Sequence, residues 1–138
     1  MIHINNIVII SKKIIIEGVG VFNVLIIEDE YIIALDLKQK LKSMDCNVVT
    51  TSSGEDALKI IETNKFDLIL MDIYLNEGLT GIETAVQIRN NFNIPIIYIT
   101  ASQNLNKLEN IQQTEPYAYL KKPYENEQLE EIIKKAKS

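Results

Sequence analysis

Several short apolar runs in this sequence stop abruptly at residues able to do chemistry. Val24-Leu25-Ile26-Ile27 runs into Glu28-Asp29-Glu30, and the run from Phe66 to Met71 stops at Asp72. Pro95-Ile96-Ile97-Tyr98-Ile99 ends in Thr100-Ala101-Ser102, and Tyr117 to Leu120 closes on Lys121-Lys122-Pro123. Brought together, Glu28, Asp29 and Asp72 would repel one another, the more so in a partly desolvated pocket. A hard divalent cation answers that repulsion: Mg²⁺ takes oxygen ligands in near-octahedral geometry, typically one or two carboxylates with waters and phosphate oxygens. Lys122 would add a fixed positive charge and Thr100 a hydroxyl donor. An anionic nucleophile, a metal site, an ammonium group and a donor are the parts needed to pass a phosphoryl group onto a carboxylate. Each residue alone has a plainer reading. A strand-end carboxylate is often solvated or, as Asp29 could be, a helix N-cap; a strand-end Thr follows β-propensity, and Lys-Pro is an ordinary stop. Asp72 resists the plain reading because it ends a buried run, and the joint occurrence argues against coincidence.

The elements that must position these residues follow from hydrophobic period. The runs Val24–Ile27, 47–51, 66–71, 95–99 and 117–120 are short and rich in β-branched residues, and several are apolar on both faces, as buried parallel strands are. Between them lie amphipathic stretches: Ile33, Leu37, Leu41 and Met44 recur at helical spacing, as do Leu129, Ile132, Ile133 and Ala136. Ser52 with Glu55, and Thr80 with Glu83, have capping-box spacing. Ser102 to Thr114 reads as a weaker helix with Leu105, Leu108 and Ile111 on one face. Five strands alternating with five helices predict right-handed crossovers and a doubly wound parallel sheet of the flavodoxin-like kind, order 2-1-3-4-5. In that order the first and third strands are neighbours, so Glu28, Asp29 and Asp72 converge at the carboxyl edge, where such sheets carry their sites.

Composition narrows the class. The chain has 138 residues, 46% hydrophobic and 24% charged, the profile of one globular domain. Nineteen acidic against 14 basic residues give a net charge of −5, which opposes binding to nucleic acid or to an anionic membrane. One cysteine, Cys46, excludes an intrachain disulfide and reads as a small semi-buried hydrophobe; with one histidine, His3, it cannot build a zinc site. No apolar run is long enough to span a bilayer, and the apolar N-terminus, interrupted by Lys12-Lys13, is not a secretory signal. The expected location is cytoplasmic.

From about Val24 to Lys137 the sequence resembles a receiver domain of the two-component response-regulator family, of the single-domain, chemotaxis type. The resemblance rests on Val-Leu-Ile-Ile-Glu28-Asp29-Glu, Asp-Leu-Ile-Leu-Met-Asp72-Ile-Tyr-Leu, Gly78-Leu-Thr-Gly81-Ile-Glu, Pro95-Ile-Ile-Tyr-Ile-Thr100-Ala-Ser and Tyr117-Ala-Tyr119-Leu-Lys-Lys122-Pro123-Tyr. It implies that Asp72 is the phosphoacceptor and that Asp29, Asp72 and the backbone carbonyl of Tyr74 bind Mg²⁺, with Glu28 acting through water. It implies that Lys122 pairs with a phosphoryl oxygen, that the Lys122–Pro123 bond is cis, and that Thr100 and Tyr119 form the coupled switch. Ala101, being small, would leave access to the acyl phosphate, while Tyr74 and Ser102 stand where the family tunes dephosphorylation. The implied donor is a histidine kinase, and the implied output is a change in partner binding on the face formed by the fourth helix, fifth strand and fifth helix, with Tyr117, Tyr119 and Lys121. A phosphorylation-dependent dimer fits the same family.

A relay role, passing the phosphoryl group to a histidine phosphotransfer protein, is not separated from this by sequence. A haloacid-dehalogenase-type phosphatase is disfavoured, since it needs a second Asp where Tyr74 stands. A flavin or nucleotide carrier is disfavoured as well, since Glu28-Asp29-Glu30 would repel phosphate after the first strand. Because the sequence ends just after the fifth helix, the reading expects a stand-alone receiver over 23–138. Residues 1–22 form an N-terminal extension, read as an edge hairpin, a flexible arm or a mis-assigned start, with Gly18-Val-Gly20 as a hinge.

Overall fold

In the computed structural model, residues 21–101, 105 and 108–138 are described in full and residues 2–4, 7–10 and 13–16 as backbone. The N-terminal strands β1 (Ile2–Ile4), β2 (Ile7–Ile10) and β3 (Lys13–Ile16) pair antiparallel in a sheet of their own, order β1-β2-β3. The Ile runs at 7–10 and 14–16 are thus strands, while the proposed hinge at Gly18–Gly20 lies outside the described residues.

The main sheet comprises β4 (Phe22–Ile27), β5 (Cys46–Thr51), β6 (Leu68–Asp72), β7 (Ile96–Thr100) and β8 (Ala118–Lys121). Every neighbouring pair is parallel, and the order is β5-β4-β6-β7-β8, the expected 2-1-3-4-5. The helices are α1 (Tyr31–Lys42), α2 (Gly54–Thr63), α3 (Gly81–Asn91) and α4 (Asn126–Lys137). Side chains alternate between two cores, as strand pleating requires. Val24, Ile26, Leu68, Leu70, Ile97 and Ile99 meet α1 and α4 through Leu37, Leu41, Leu129 and Ile133. Leu25, Ile27, Ile69, Met71, Ile96 and Tyr98 meet α2 and α3 through Ala57, Ile61, Ala85 and Ile88. Cys46 is buried among the first set, and burial pushes its thiol pKa up, which makes it a packing residue rather than a reactive one.

One expectation is corrected. Among the described residues there are four α-helices, not five; between β7 and β8 the regular piece that carries Ile111 is a 3₁₀ helix, Ile111–Thr114. Asn110 before it and Glu115 after it both have left-handed backbones, φ 68° and 48°, which an α-helix cannot pass through. The recurrence of Leu105, Leu108, Ile111 and Thr114 every three residues suits either helix type; the left-handed Asn110 is what starts the regular piece only at Ile111. Part of the segment expected to be helical, including Ser102, lies outside the described residues.

Candidate functional site

Register places the acidic residues. Ile27 of β4 pairs with Met71 of β6, so the next residues, Glu28 and Asp72, emerge side by side, with Asp29 one step further. One oxygen from each of Glu28, Asp29 and Asp72 lies within 4.8 Å of the other two. Glu28 and Asp72 are 4% and 9% exposed, so their repulsion is poorly screened by water. On the other flank, Thr100 pairs with Lys121, and the Lys122 amide donates to the Thr100 carbonyl at 2.8 Å. The Lys122–Pro123 peptide bond is cis. From there the Lys122 ammonium reaches Glu28 Oε1 at 3.3 Å. The structure therefore brings Glu28, Asp29, Asp72 and Lys122 into one pocket. Thr100 is 1% exposed at its edge, whereas Ala101 is exposed, and Ser102 lies outside the described residues.

The pocket is short of positive charge. Burial pushes the Glu28 carboxyl up to about 8, the contact with and the charge of Asp72 add to the rise, and Lys122 only partly offsets it. As a carboxylate, Glu28 has one oxygen, Oε2, buried without a hydrogen-bond donor. An orphaned anionic oxygen next to two further carboxylates is the donor set a hard dication fits, so the residues present suit Mg²⁺. Glu28, Asp29 and Asp72 would hold it.

The loop from Ile73 to Thr80 forms the pocket's wall. The Tyr74 amide donates to Asp72 Oδ1 at 3.1 Å and the Asn76 amide to Asp29 Oδ2 at 2.9 Å. Tyr74 itself is 56% exposed. α3 begins hard against the loop's start: the Gly81 amide donates to the Ile73 carbonyl at 2.8 Å, and a Cβ on Gly81 would collide with the Asp72 carbonyl. Only glycine fits there. The capping box of Thr80 and Glu83 forms as expected. The other does not: α2 is capped by Ser53, whose hydroxyl accepts from the Asp56 amide at 3.1 Å. Glu55 instead turns to the loop and accepts the Leu79 amide at 2.7 Å.

Tyr119 of β8 lies beside Tyr98 of β7, ring centroids 6.0 Å apart and 19° from parallel, a stack fixed by their pairing in the sheet. Sequence reasoning singled out Tyr119 and passed over Tyr98. Tyr98 is fully buried, and its hydroxyl donates to Thr114 Oγ1 at 2.7 Å, which in turn donates to the Ile111 carbonyl at 2.6 Å. Burial holds the Tyr98 phenol up at about 12. Arg89 of α3 donates to the Thr114 carbonyl at 2.8 Å. The signal available in sequence was a Tyr inside an otherwise aliphatic buried strand, where its hydroxyl must find a partner.

With this geometry in hand, comparison with known proteins is direct. Residues 24–134 match the family model of the response regulator receiver domain. The chain belongs to that family. It is 31% identical over 114 residues to the transcriptional regulatory protein CrdR of Helicobacter pylori, covering 81% of this chain and 53% of that protein. It is 31% identical over 105 residues to the heme response regulator HssR of Staphylococcus haemolyticus, covering 76% and 46%. The chain thus spans about half the length of these curated relatives. Among solved structures it is similar to a two-component response regulator from Clostridium difficile, with TM-score 0.76 and 29% identity over 83% of this chain and 94% of that one. The fold is shared with the chemotaxis response regulator CheY4 of Vibrio cholerae, with TM-score 0.77 and 22% identity over 85% and 99%. Receiver domains of response regulators are phosphorylated by histidine kinases and act on downstream partners, so this receiver serves two-component signalling. Among the described residues no helix is long and apolar enough to cross a membrane.

Proposed function

We propose that this receiver takes a phosphoryl group from a histidine kinase onto Asp72 in a Mg²⁺-dependent reaction and thereby switches its binding to a protein partner. The observation that carries this reading is the convergence of three carboxylates, one with an orphaned oxygen, beside the Lys122 ammonium. An Asp72 carboxylate oxygen attacks phosphorus as the P–N bond to the donor imidazole breaks, and the electron pair of that bond returns to the imidazole. Bound Mg²⁺ would neutralise charge on the phosphoryl oxygens and draw them toward the pocket. Asp29 and Glu28 would hold the metal, with the Tyr74 carbonyl as a further ligand. Lys122 would turn from Glu28 to a phosphoryl oxygen, and Thr100 would donate its hydroxyl to another. Ala101, exposed and small, leaves the acyl phosphate open to approach.

The working unit is 23–138, joined by Phe22, which already belongs to β4, while the extension's strands within 2–16 pair in a sheet of their own. Tyr119 would carry the phosphorylation state from Thr100 to the face formed by β8 and α4, where Tyr117 and Lys121 are exposed. That face would bind the partner, a second copy of the chain included. No reaction on a substrate other than the phosphoryl donor is needed, so the chain would act as a phosphoacceptor rather than as an enzyme with turnover.

The test is intact-mass analysis after incubation with Mg²⁺ and a small acyl-phosphate donor. One acid-stable, base-labile phosphoryl group is expected, absent without metal and absent in Asp72→Asn. Unchanged labelling of Asp72→Asn would sink the mechanism.

A further inference from the structure

Glu55 has no part in the helix cap that its spacing suggested, and none in the chemistry described above. Its surroundings nonetheless fit it closely. Gly78 has a positive φ of 72°, and a Cβ placed there would run into the Glu55 carboxylate. The absent side chain of Gly78 is therefore the space that the carboxylate fills. From that seat Oε1 accepts the amide of the next residue, Leu79, at 2.7 Å, a short bond assisted by the negative charge. Gly78 serves two needs at once: a backbone conformation that side chains resist, and room for an oxygen from α2.

What this contact holds is the pocket's wall. The loop's near half makes both carboxylate contacts, Tyr74 to Asp72 and Asn76 to Asp29. Its far end is fastened to α3 by the Gly81 amide and the capping box. Between Asn76 and Thr80, the Glu55 bond ties the loop to α2. α2 itself is anchored by Ala57 and Ile61 in the core. A carboxylate on a rigid helix thus sets the depth of the loop that orients two of the three candidate metal ligands.

We propose that Glu55 is a positioning residue for the acidic pocket, which it tunes by fixing the loop from Ile73 to Thr80 through the Leu79 amide. The proposal rests on the Mg²⁺-dependent reading of the site. Groups one contact removed from a metal ligand typically change metal affinity by roughly 10- to 100-fold. Glu55 is exposed and acts through a loop, so a smaller effect is expected, about threefold to tenfold.

The experiment is calorimetric titration of Mg²⁺ into the full chain, as wild type, Glu55→Ala and Glu55→Gln. Labelling by the small acyl-phosphate donor is followed across Mg²⁺ concentrations. Both variants remove the same charge, but only Gln keeps an acceptor oxygen for Leu79. Glu55→Ala is expected to weaken Mg²⁺ binding about threefold to tenfold and to raise the half-saturating Mg²⁺ for labelling in step, while Glu55→Gln stays within about twofold of wild type. Amide exchange at Asn76 and Leu79 should quicken in Glu55→Ala, with β6 amides unchanged. Wild-type affinity in Glu55→Ala, or equal weakening in both variants, overturns the proposal and leaves the phosphoacceptor reading standing. A wild type that neither binds Mg²⁺ nor takes label overturns both. If Glu55→Ala does not fold, Gly78→Ala, whose added methyl evicts the carboxylate, carries the same decision: unchanged Mg²⁺ affinity there overturns the proposal.

Discussion

The carboxyl edge of the main sheet has two halves that are built differently. On the β4–β6 side, Glu28, Asp29 and Asp72 are crowded into mutual repulsion, and backbone amides of one loop hold the last two in place. On the β7–β8 side the contacts are mechanical: two stacked tyrosines, a chain of hydroxyl bonds to the 3₁₀ helix, and an arginine from α3. The first half stores electrostatic cost in the metal-free protein, and in the proposed function the second half would transmit shape. Lys122 spans them, rooted behind β8 and ending at Glu28. The proposed function therefore expects charge chemistry and readout to respond to different substitutions.

The largest expected effect breaks the first half outright. Asp72→Asn should abolish labelling, yet because it removes the negative charge beside Glu28, it should raise the melting temperature of the metal-free protein. Calorimetry with and without Mg²⁺ reads both. Next in size is Gly81→Ala, whose methyl has no room against the Asp72 carbonyl; a loss of about 1–3 kcal/mol is expected in urea unfolding, with slower labelling at every Mg²⁺ concentration. Lys122→Ala strips Glu28 of its counter-charge and should cost on the order of 1–3 kcal/mol at pH 8. It should cost less at pH 6, where Glu28 takes a proton instead.

The pH dependence of the wild type follows from the same group. Its folded pKa, about 8, lies above the ordinary carboxyl value of 4.5. The folded state therefore binds the proton more tightly than the unfolded chain. This contribution to stability is fully present below about pH 4.5 and is lost as pH rises through about 8. Metal-free melting temperature should fall over that window, and saturating Mg²⁺ should flatten the fall; a metal-free profile level between those limits counts against the picture. The smallest effect probes the second half. Tyr98→Phe deletes the hydroxyl bond to Thr114 and should cost about 1 kcal/mol. Mg²⁺ affinity should not move; if it does, the two halves are not separable.

Much of this architecture is legible in the sequence because buried parallel strands announce themselves: an apolar run cannot continue past Glu28, Asp72 or Lys121 without burying charge. Once strand order is inferred, the acidic cluster follows from register. The failures have equally local causes. Ser52-Glu55 and Ser53-Asp56 are overlapping capping patterns one residue apart, and the structure uses the second, with Ser53 as the cap. The threefold repeat from Leu105 to Thr114 gives no sign of the left-handed Asn110, after which the 3₁₀ helix runs only from Ile111 to Thr114. The roles of Glu55 and Tyr98 depend on partners 24 and 16 residues away, contacts that no local pattern encodes.

In the proposed reaction, the contact between Lys122 and Glu28 would make the pocket a counter-ion exchanger. With Glu28 ionised, three carboxylates against the Lys122 ammonium leave two negative charges, which one divalent cation neutralises. In the proposed reaction, Glu28 no longer needs the lysine once the metal has taken its place, and the ammonium is freed toward the incoming phosphoryl oxygens. Electroneutrality would then dictate the order of events, metal before phosphoryl group, with Lys122 as the charge handed from one to the other.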